Sequence, residues 1–393
     1  MVEIVKMAKL IDITGKALSG EWGTDDETGN GVPVIRTTNF TNEGVVNYKD
    51  VVTRTINKKN IEEKFLRKGD IIIEKSGGSD KFPVGRVIYF DGKENTYLFN
   101  NFTGLLRVKN QEVWYPRYVF YSLFDNYKRG GTRAFENKTT GLHNLKIDDY
   151  IFRYEVAEID IAEQMFICDL LDKLYGIIKL RMQELQLLDD LIKARFVEMF
   201  GDVKYGIERW GGKPFKDIAI NLDSKRKPVK DADRKKMQGI YPYYGATGIV
   251  DYVNDYRQDG EFLLISEDGK ALELRSKPIA FLASGKIWVN NHAHVQQCTD
   301  ECNIIYLMYH INFMDVSIWV TGIDQKKLNR ANLDTIPIAL PPIELQKQFA
   351  DFVKQVDKSK VLSETHIFYA EKSITPTTPK IFLKGRCIYG NEF

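Results

Sequence analysis

No stretch of this sequence is long and apolar enough to span a membrane as a helix. Such a crossing needs about 20 consecutive apolar residues. The start, MVEIVKMAKLIDITG, also lacks the apolar core of a signal peptide, so the cytoplasm is the expected compartment. Cysteine is scarce, at 4 in 393 residues. Cys168, Cys298, Cys302 and Cys387 keep no framework spacing, which excludes a disulfide scaffold and predicts reduced thiols. Net charge is nearly absent: 56 Lys and Arg against 54 Asp and Glu leave +2, so bulk charge offers no argument for nucleic acid. Catalytic signatures are missing too. Gly15-Lys16, Gly269-Lys270 and Gly285-Lys286 precede Ala17, Ala271 and Ile287, not the Ser or Thr of a phosphate-binding loop. The double proline Pro341-Pro342 is followed by Ile343, where an adenine methyltransferase carries an Asn/Asp-Pro-Pro-aromatic motif. Asp50, Glu62 and Lys64 fit the nuclease acid/acid/lysine pattern, but so loose a pattern recurs by chance. Neither a catalytic residue nor a cofactor is expected in this chain.

What the chain has is repetition. Gly69-Asp-Ile-Ile-Ile-Glu-Lys-Ser-Gly answers Gly260-Glu-Phe-Leu-Leu-Ile-Ser-Glu-Asp-Gly, and Tyr118-Val-Phe-Tyr-Ser-Leu answers Tyr306-Leu-Met-Tyr-His-Ile. Further on, Leu142, Asp148, Ile159 and Gln164 line up with Leu328, Asp334, Ile343 and Gln348. Pairs kept in one order imply duplication. Only two copies favour a pseudo-two-fold molecule over a solenoid.

Texture divides the chain. Over 1–150, short β-branched and aromatic runs (Gly31-Val-Pro-Val-Ile-Arg, Asp70-Ile-Ile-Ile, Arg86-Val-Ile-Tyr-Phe) alternate with Gly, Asn and Asp, predicting strands, with one helix near Arg117 to Asp125. Residues 151–200 carry a helix from about Glu158, free of proline. Steps of four and three pass through Ile167, Leu171, Leu174, Ile178, Arg181, Leu185, Leu188, Ile192, Arg195 and Met199. This heptad seam packs either on its own domain or in a coiled coil, and a helix of about 40 residues, roughly 60 Å long, overshoots a small domain and favours the coil. A second globule over 201–340 and a second helix over 341–372, with Leu345, Phe349, Phe352 and Val356 repeating the seam, complete the pattern. That seam fades into Ser359 and Ser363, and an irregular tail is expected over 373–393. The texture predicts an α+β fold class: two mixed α/β domains joined by two long helices with coiled-coil-like seams.

Two local clusters invite chemistry. Lys225, Arg226, Lys227, Lys230, Arg234, Lys235 and Lys236 crowd into twelve positions ahead of an aromatic, glycine-rich stretch, a plausible phosphate-attracting surface or a solvated loop. His292, His294, Cys298 and Cys302 are legitimate zinc ligands in H-x-H-x3-C-x3-C spacing. A second pair in the first half is missing, and a hydrogen-bonded core role is the commoner outcome for the histidines.

The most distinctive strings are Tyr241-Pro-Tyr-Tyr-Gly-Ala-Thr-Gly-Ile-Val-Asp-Tyr, Phe262-Leu-Leu-Ile-Ser-Glu-Asp-Gly and Trp288-Val-Asn-Asn-His-Ala-His-Val. With Phe196-Val-Glu-Met-Phe-Gly-Asp and Leu340-Pro-Pro-Ile-Glu-Leu-Gln-Lys-Gln-Phe, they resemble the DNA specificity subunit of type I restriction-modification systems, over roughly residues 8 to 356. The resemblance implies two pseudo-symmetric target recognition domains, inverted about a pseudo-two-fold axis and spaced by the two long helices running antiparallel, each domain reading half of an asymmetric, interrupted (bipartite) double-stranded DNA site. It also implies helices that dock two methyltransferase subunits, joined by restriction/translocase subunits. S-adenosylmethionine, ATP and Mg are then expected in the partners. Two alternatives stay open: a specificity subunit for a fused methyltransferase-nuclease, and a stand-alone zinc-dependent enzyme built on the His/Cys cluster.

Within that reading, Asn suits adenine edges, Arg and Lys suit guanine, and Thr suits either. Arg36, Thr37, Thr38 and Asn39 are the base-reading candidates of the first half. Tyr243, Tyr244, Ala246, Thr247, Asn290, Asn291 and His292 are those of the second, with one of the tyrosines expected in the core. Lys75, Ser76, Lys225, Arg226 and Lys227 are the phosphate candidates, setting register without reading sequence.

Overall fold

The structure is a computed structural model that describes residues 6–139, 142–275, 277–323 and 326–382. The chain divides into two compact units. One comprises residues up to Leu180 together with those from His366, and the other runs from Arg181 to Thr365. Both are mixed α/β, as the sequence texture predicts.

In the first unit β1 (Met7–Lys9) is joined by β2 (Leu18–Ser19), β3 (Val32–Ile35), β4 (Val52–Thr55), β5 (Ile71–Glu74), β6 (Val87–Tyr89), β7 (Leu98–Phe99), β8 (Thr103–Leu106) and β9 (Glu155–Ala157). One antiparallel sheet has the order β2-β8-β5-β6, while β7 lies parallel to β3, with β4 beyond. Alternation along β5 sends Ile71 and Ile73 into a core with Tyr118, Val119 and Leu123 of α1 (Pro116–Lys128), and Ile72 into another with Ile35, Ile88 and Phe99. The strand reads as continuous isoleucine because both its faces are covered.

The second unit repeats this plan with β10 (Gly212–Pro214), β11 (Ala219–Asn221), β12 (Gln238–Gly245), β13 (Gly248–Val253), β14 (Gln258–Ser266), β15 (Ala280–Val289), β16 (Ala293–Cys298) and β17 (Pro337–Ala339), and with α3 (Ile304–Phe313) in the place of α1. Its sheet order is β11-β16-β14-β15-β12-β13, with β15 parallel to β12. Here β15 runs unbroken, whereas Asp91-Gly92-Lys93-Glu94-Asn95, with Asn95 at φ 55°, splits the equivalent first-unit strand into β6 and β7. Both units close alike: Tyr118 donates to the Ala157 carbonyl (3.1 Å) and Tyr306 to that of Ala339 (2.8 Å).

Two buried glutamines clamp the long helices α2 (Ile161–Phe200) and α4 (Ile343–Phe382) in the same way. Gln164 donates to the Val113 and Ile159 carbonyls (both 2.9 Å) and accepts from the Tyr115 N–H (2.9 Å). Gln346 donates to Glu301 (3.2 Å) and Pro341 (2.7 Å) and accepts from Asn303 (2.8 Å). The partner of Gln164 is thus Gln346, not Gln348. Likewise Leu145, not Leu142, answers Leu328, since their N–H groups donate at 2.8 Å to the equivalent carbonyls of Lys75 and Glu267. Apolar strings tolerate such slips in alignment, whereas hydrogen-bond roles do not.

The heptad seam serves several surfaces. In the first unit Ile167 and Leu171 bury in the unit's own core, and Tyr175 stacks on Tyr121. In the second, Ile192 and Phe196 join a core with Phe349, Val353 and Val356, and the partly buried Leu188, Leu345 and Phe352 pack against it. There α2 and α4 run antiparallel, since Phe196 meets Phe349, Lys360 reaches Asp189 (2.6 Å) and Ser363 donates to Glu184 (3.0 Å). Leu174, Ile178 and Leu185 are half-buried along the same stripe. The seam of α4 turns polar at Ser363, which is buried, then resumes at Ala370 and Ile374. The helix therefore passes the expected end at 372 and continues through Pro376 and Pro379 to Phe382. Ile374, partly buried against the first unit's core, packs the turn just before those prolines. The rest of the expected tail, 383–393 with Cys387, lies outside the described residues.

At the heart of the second unit, His310 lies 2 % exposed among Phe196 and Tyr306, with Nε2 accepting from the Ala339 N–H (3.3 Å) and Nδ1 unpartnered. Burial pushes its pKa from 6.5 down to about 4. Below pH 6.5 the unfolded chain takes up a proton that the folded chain refuses until about pH 4, so stability falls as pH drops through that window. Urea titrations at pH 7 and pH 5 should differ by about 2 kcal/mol through this group. His310→Gln should remove most of that difference, and an unchanged acid sensitivity would refute the assignment.

Candidate nucleic-acid interface

In each unit three chain segments emerge together at the ends of neighbouring strands. Parallel β3 and β7 release Arg36–Asn39 and Asn100–Phe102, and β5, whose last residue Glu74 pairs with Thr103, releases Lys75 and Ser76. The second unit does the same after β12 (Ala246, Thr247), β15 (Asn290–His292) and β14 (Glu267, Asp268). Backbone bonds make the match residue by residue. Asn100 N–H donates to Ile35 (3.0 Å) as Asn290 does to Tyr244 (3.1 Å), and Lys75 N–H donates to Phe102 (2.8 Å) as Glu267 does to His292 (2.9 Å). Loops at strand ends carry side chains that packing leaves free, which is why function collects there.

The first-half candidates divide. Thr38 is exposed, while Thr37 and Arg36 are half-buried, and Arg36 spends Nη2 on the Asp50 carbonyl (3.0 Å). Asn39 is 2 % exposed: its Oδ1 accepts from Arg36 N–H (3.0 Å) and its Nδ2 donates to Asn47 (3.0 Å) and Lys49 (3.3 Å). Its amide is consumed in holding the loop, and no edge remains for a base. Lys75 is half-buried and donates to Ser19 Oγ (2.9 Å), and desolvation depresses its pKa. Ser76 sits in a bridge to Asn144. Lys64, of the nuclease-like trio, is paired with Glu21.

In the second half both tyrosines are core, where one was expected. Tyr243 packs near Trp288 and accepts from the Val229 N–H (2.9 Å), and Tyr244 stacks on Phe281. The Ala246 carbonyl accepts from Ser266 (2.5 Å), and Thr247 is exposed at the β12–β13 turn. Asn290 is buried, its Oδ1 holding the His292 N–H (2.7 Å), whereas Asn291 is exposed. Arg226 is not free for phosphate, being tied to Glu267 (2.7 Å), Asp223 (3.3 Å) and the Ala293 carbonyl (3.0 Å); Lys225 and Lys227 are exposed. Residue type suits a role only if burial leaves the group unspent, and burial is a tertiary property.

The His/Cys set does not converge. His292 Nδ1 faces the Asp268 carboxylate (2.9 Å), while His294, fully buried, places Nδ1 on Asp223 (2.7 Å) and Nε2 on the Leu328 carbonyl (2.8 Å). Burial pushes the Asp223 carboxyl up, but His294, the Val295 N–H and Arg226 outweigh it and hold the pKa below the usual value. Among the described residues no three His, Cys, Asp or Glu side chains gather as metal ligands.

Sequence reasoning passed over two features. Asn100-Asn101-Phe102 is the first-unit counterpart of Asn290-Asn291-His292, and the repeated Asn-Asn doublet after an apolar pair was the available signal. Lys16, Arg67, Lys68 and Lys109 line one cleft with Thr14 and Gln111, gathered from segments too distant to read as a basic run.

Comparison with known proteins agrees with this architecture. The family described as Type I restriction modification DNA specificity domain matches residues 1–189 and 207–367. A Haemophilus influenzae protein described as a type I restriction enzyme specificity subunit is 38% identical over 151 residues, 38% of this chain and 37% of the relative. The Escherichia coli type I restriction enzyme EcoprrI specificity subunit is 26% identical over 125 residues, 32% of this chain and 30% of the relative. The matched part thus spans about a third of each curated relative's length. Among solved structures, the S subunit of a type I restriction-modification system from M. genitalium has TM-score 0.61 at 16% identity over 97% of both chains, which shows the fold. A chain from a structure of type I complex assembly and conformational transition has TM-score 0.51 at 11% identity, over 98% of this chain and 97% of that one. Among the described residues no helix is long and apolar enough to cross a membrane.

Proposed function

This chain belongs to the type I restriction-modification DNA specificity family, and on that premise we propose that its two units are target recognition domains, each reading one half of a bipartite double-stranded DNA site. The observation that carries the reading is the duplicated sheet. One topology presents the same three loop positions twice, yet Lys75, Ser76 and Phe102 stand where the other copy has Glu267, Asp268 and His292. Equal scaffolds with unequal chemistry suit two different half-sites. Exposed lysines beside the loops, Lys225 and Lys227 among them, supply phosphate attraction that sets register, with Thr38 and Thr247 available for base contacts.

The long helices present the second surface. Along α2, Phe166, Leu170, Ile177 and Leu180 form an exposed apolar stripe beside the buried seam in the first unit, and Leu187 and Leu191 form another in the second. Such a stripe fits methyltransferase subunits, of which the complex would hold two, with restriction/translocase subunits added. S-adenosylmethionine, ATP and Mg would act in those partners, and this chain would supply recognition. Modified-base sequencing of a methylation-free host tests the reading. Expressing the chain with its neighbouring methyltransferase should create an interrupted motif absent with the methyltransferase alone, and no chain-dependent motif would refute it.

A further inference from the structure

We propose that Asn101 with Phe102 in the first domain, and Asn291 with His292 in the second, are quasi-equivalent base-contacting tips, one for each half-site. The proposal rests on the DNA-reading function above and names the side chains that perform it. Three pairs of matched backbone bonds superpose the tips: Asn100 to Ile35 with Asn290 to Tyr244, Lys75 to Phe102 with Glu267 to His292, and Leu145 to Lys75 with Leu328 to Glu267. Within each doublet the labour is divided. The first asparagine is buried and builds the turn: Asn290 Oδ1 holds the His292 N–H (2.7 Å), and the Asn100 carbonyl accepts from Thr103 N–H (3.1 Å) and Oγ1 (2.8 Å). The second, Asn101 or Asn291, is exposed, and its amide bonds to nothing else among the described residues. A free carboxamide on a fixed turn suits the N6/N7 edge of adenine.

The neighbouring positions change together. In the second domain the buried carboxylate of Asp268 accepts from His292 Nδ1–H (2.9 Å); the side chain is 46 % exposed, and Nε2, with no hydrogen bond among the described residues, is left to accept from a base amino group. In the first domain the equivalent of Asp268 is Ser76, and the equivalent of His292 is Phe102, 55 % exposed. A phenyl ring needs no orienting carboxylate. An exposed phenylalanine on a loop tip instead suits a thymine methyl or a wedge at a base step. An aspartate present with the histidine and absent with the phenylalanine is the pattern expected if these two side chains face the ligand.

The test uses the assembled methyltransferase–specificity complex, with Asn101→Ala/Phe102→Ala and Asn291→Ala/His292→Ala compared by modified-base sequencing. Each double variant should relax one half of the motif, and methylation at the original sites should fall by about ten- to a hundredfold. The other half should stay as in the parent. The single variants Asn101→Ala and Asn291→Ala touch no internal bond, so folding does not enter their readout. Parent motif and occupancy in all four variants would overturn the proposal while leaving DNA recognition intact, as would a variant that loosens both halves alike. A parent complex without any motif would defeat the recognition reading itself.

Discussion

Replacing Phe196 by alanine should cost the second unit about 3 to 5 kcal/mol, a large share of the roughly 5 to 15 kcal/mol that holds an ordinary domain folded. Phe196 is 1 % exposed, with ring centroids 4.9 Å from Phe200, 5.2 Å from Phe313, 5.4 Å from Phe349 and 5.7 Å from Tyr306. It is the point at which α2, α3 and α4 meet. Truncation removes transfer energy, aromatic contacts and the fill of a site whose walls are other rigid rings, which collapse poorly. Urea denaturation of the full chain measures the loss, and a change under about 1 kcal/mol would show that the walls relax after all. Because α2 and α4 are held here by shared rings, the variant should also weaken complexes that use those helices.

Charging the exposed stripe should have the opposite signature, with binding lost and folding kept. Leu187 and Leu191 are 66 % and 47 % exposed and contribute nothing to the core. Leu187→Asp with Leu191→Asp therefore leaves the melting temperature of the isolated chain close to that of the parent. If the stripe docks a methyltransferase subunit, as proposed, the same changes bury unpaired carboxylates and remove two apolar anchors, worth about 3 kcal/mol or more. That corresponds to more than a hundredfold in Kd. Co-purification and titration of the methyltransferase onto the double variant measure it. Full-strength binding would move the docking surface elsewhere, to the exposed Val361 and Leu362 of α4 or to the domains themselves.

Much of the fold was legible because its signals are local. A helix without proline, a seam stepping by four and three, and Pro341-Pro342 before a second seam placed the end of α2 and the start of α4, while α2 begins at Ile161 where about Glu158 was expected and α4 runs on to Phe382, past the expected 372. The alignment of the two halves was legible in order but slipped in register where apolar strings repeat. Gln164 and Gln346 corrected it, since each must satisfy the same backbone groups. The candidate site was legible in position more than in detail. Strand-end segments were chosen in both halves, yet Asn39, Tyr243, Tyr244, Asn290 and Arg226 are spent inside the protein, while Asn101 and Phe102 were passed over.

Sequence by itself determined the duplication, the helices and the family resemblance, because periodicity, capping chemistry and repeated words are properties of neighbours along the chain. Tertiary structure alone decided which of two adjacent asparagines faces outward, that Asp268 orients His292, and that lysines from distant segments share a cleft. Those outcomes depend on which polar groups are desolvated and by what they are satisfied. A side chain's chemistry is written in its residue type, but its availability is settled only when the rest of the chain has packed around it.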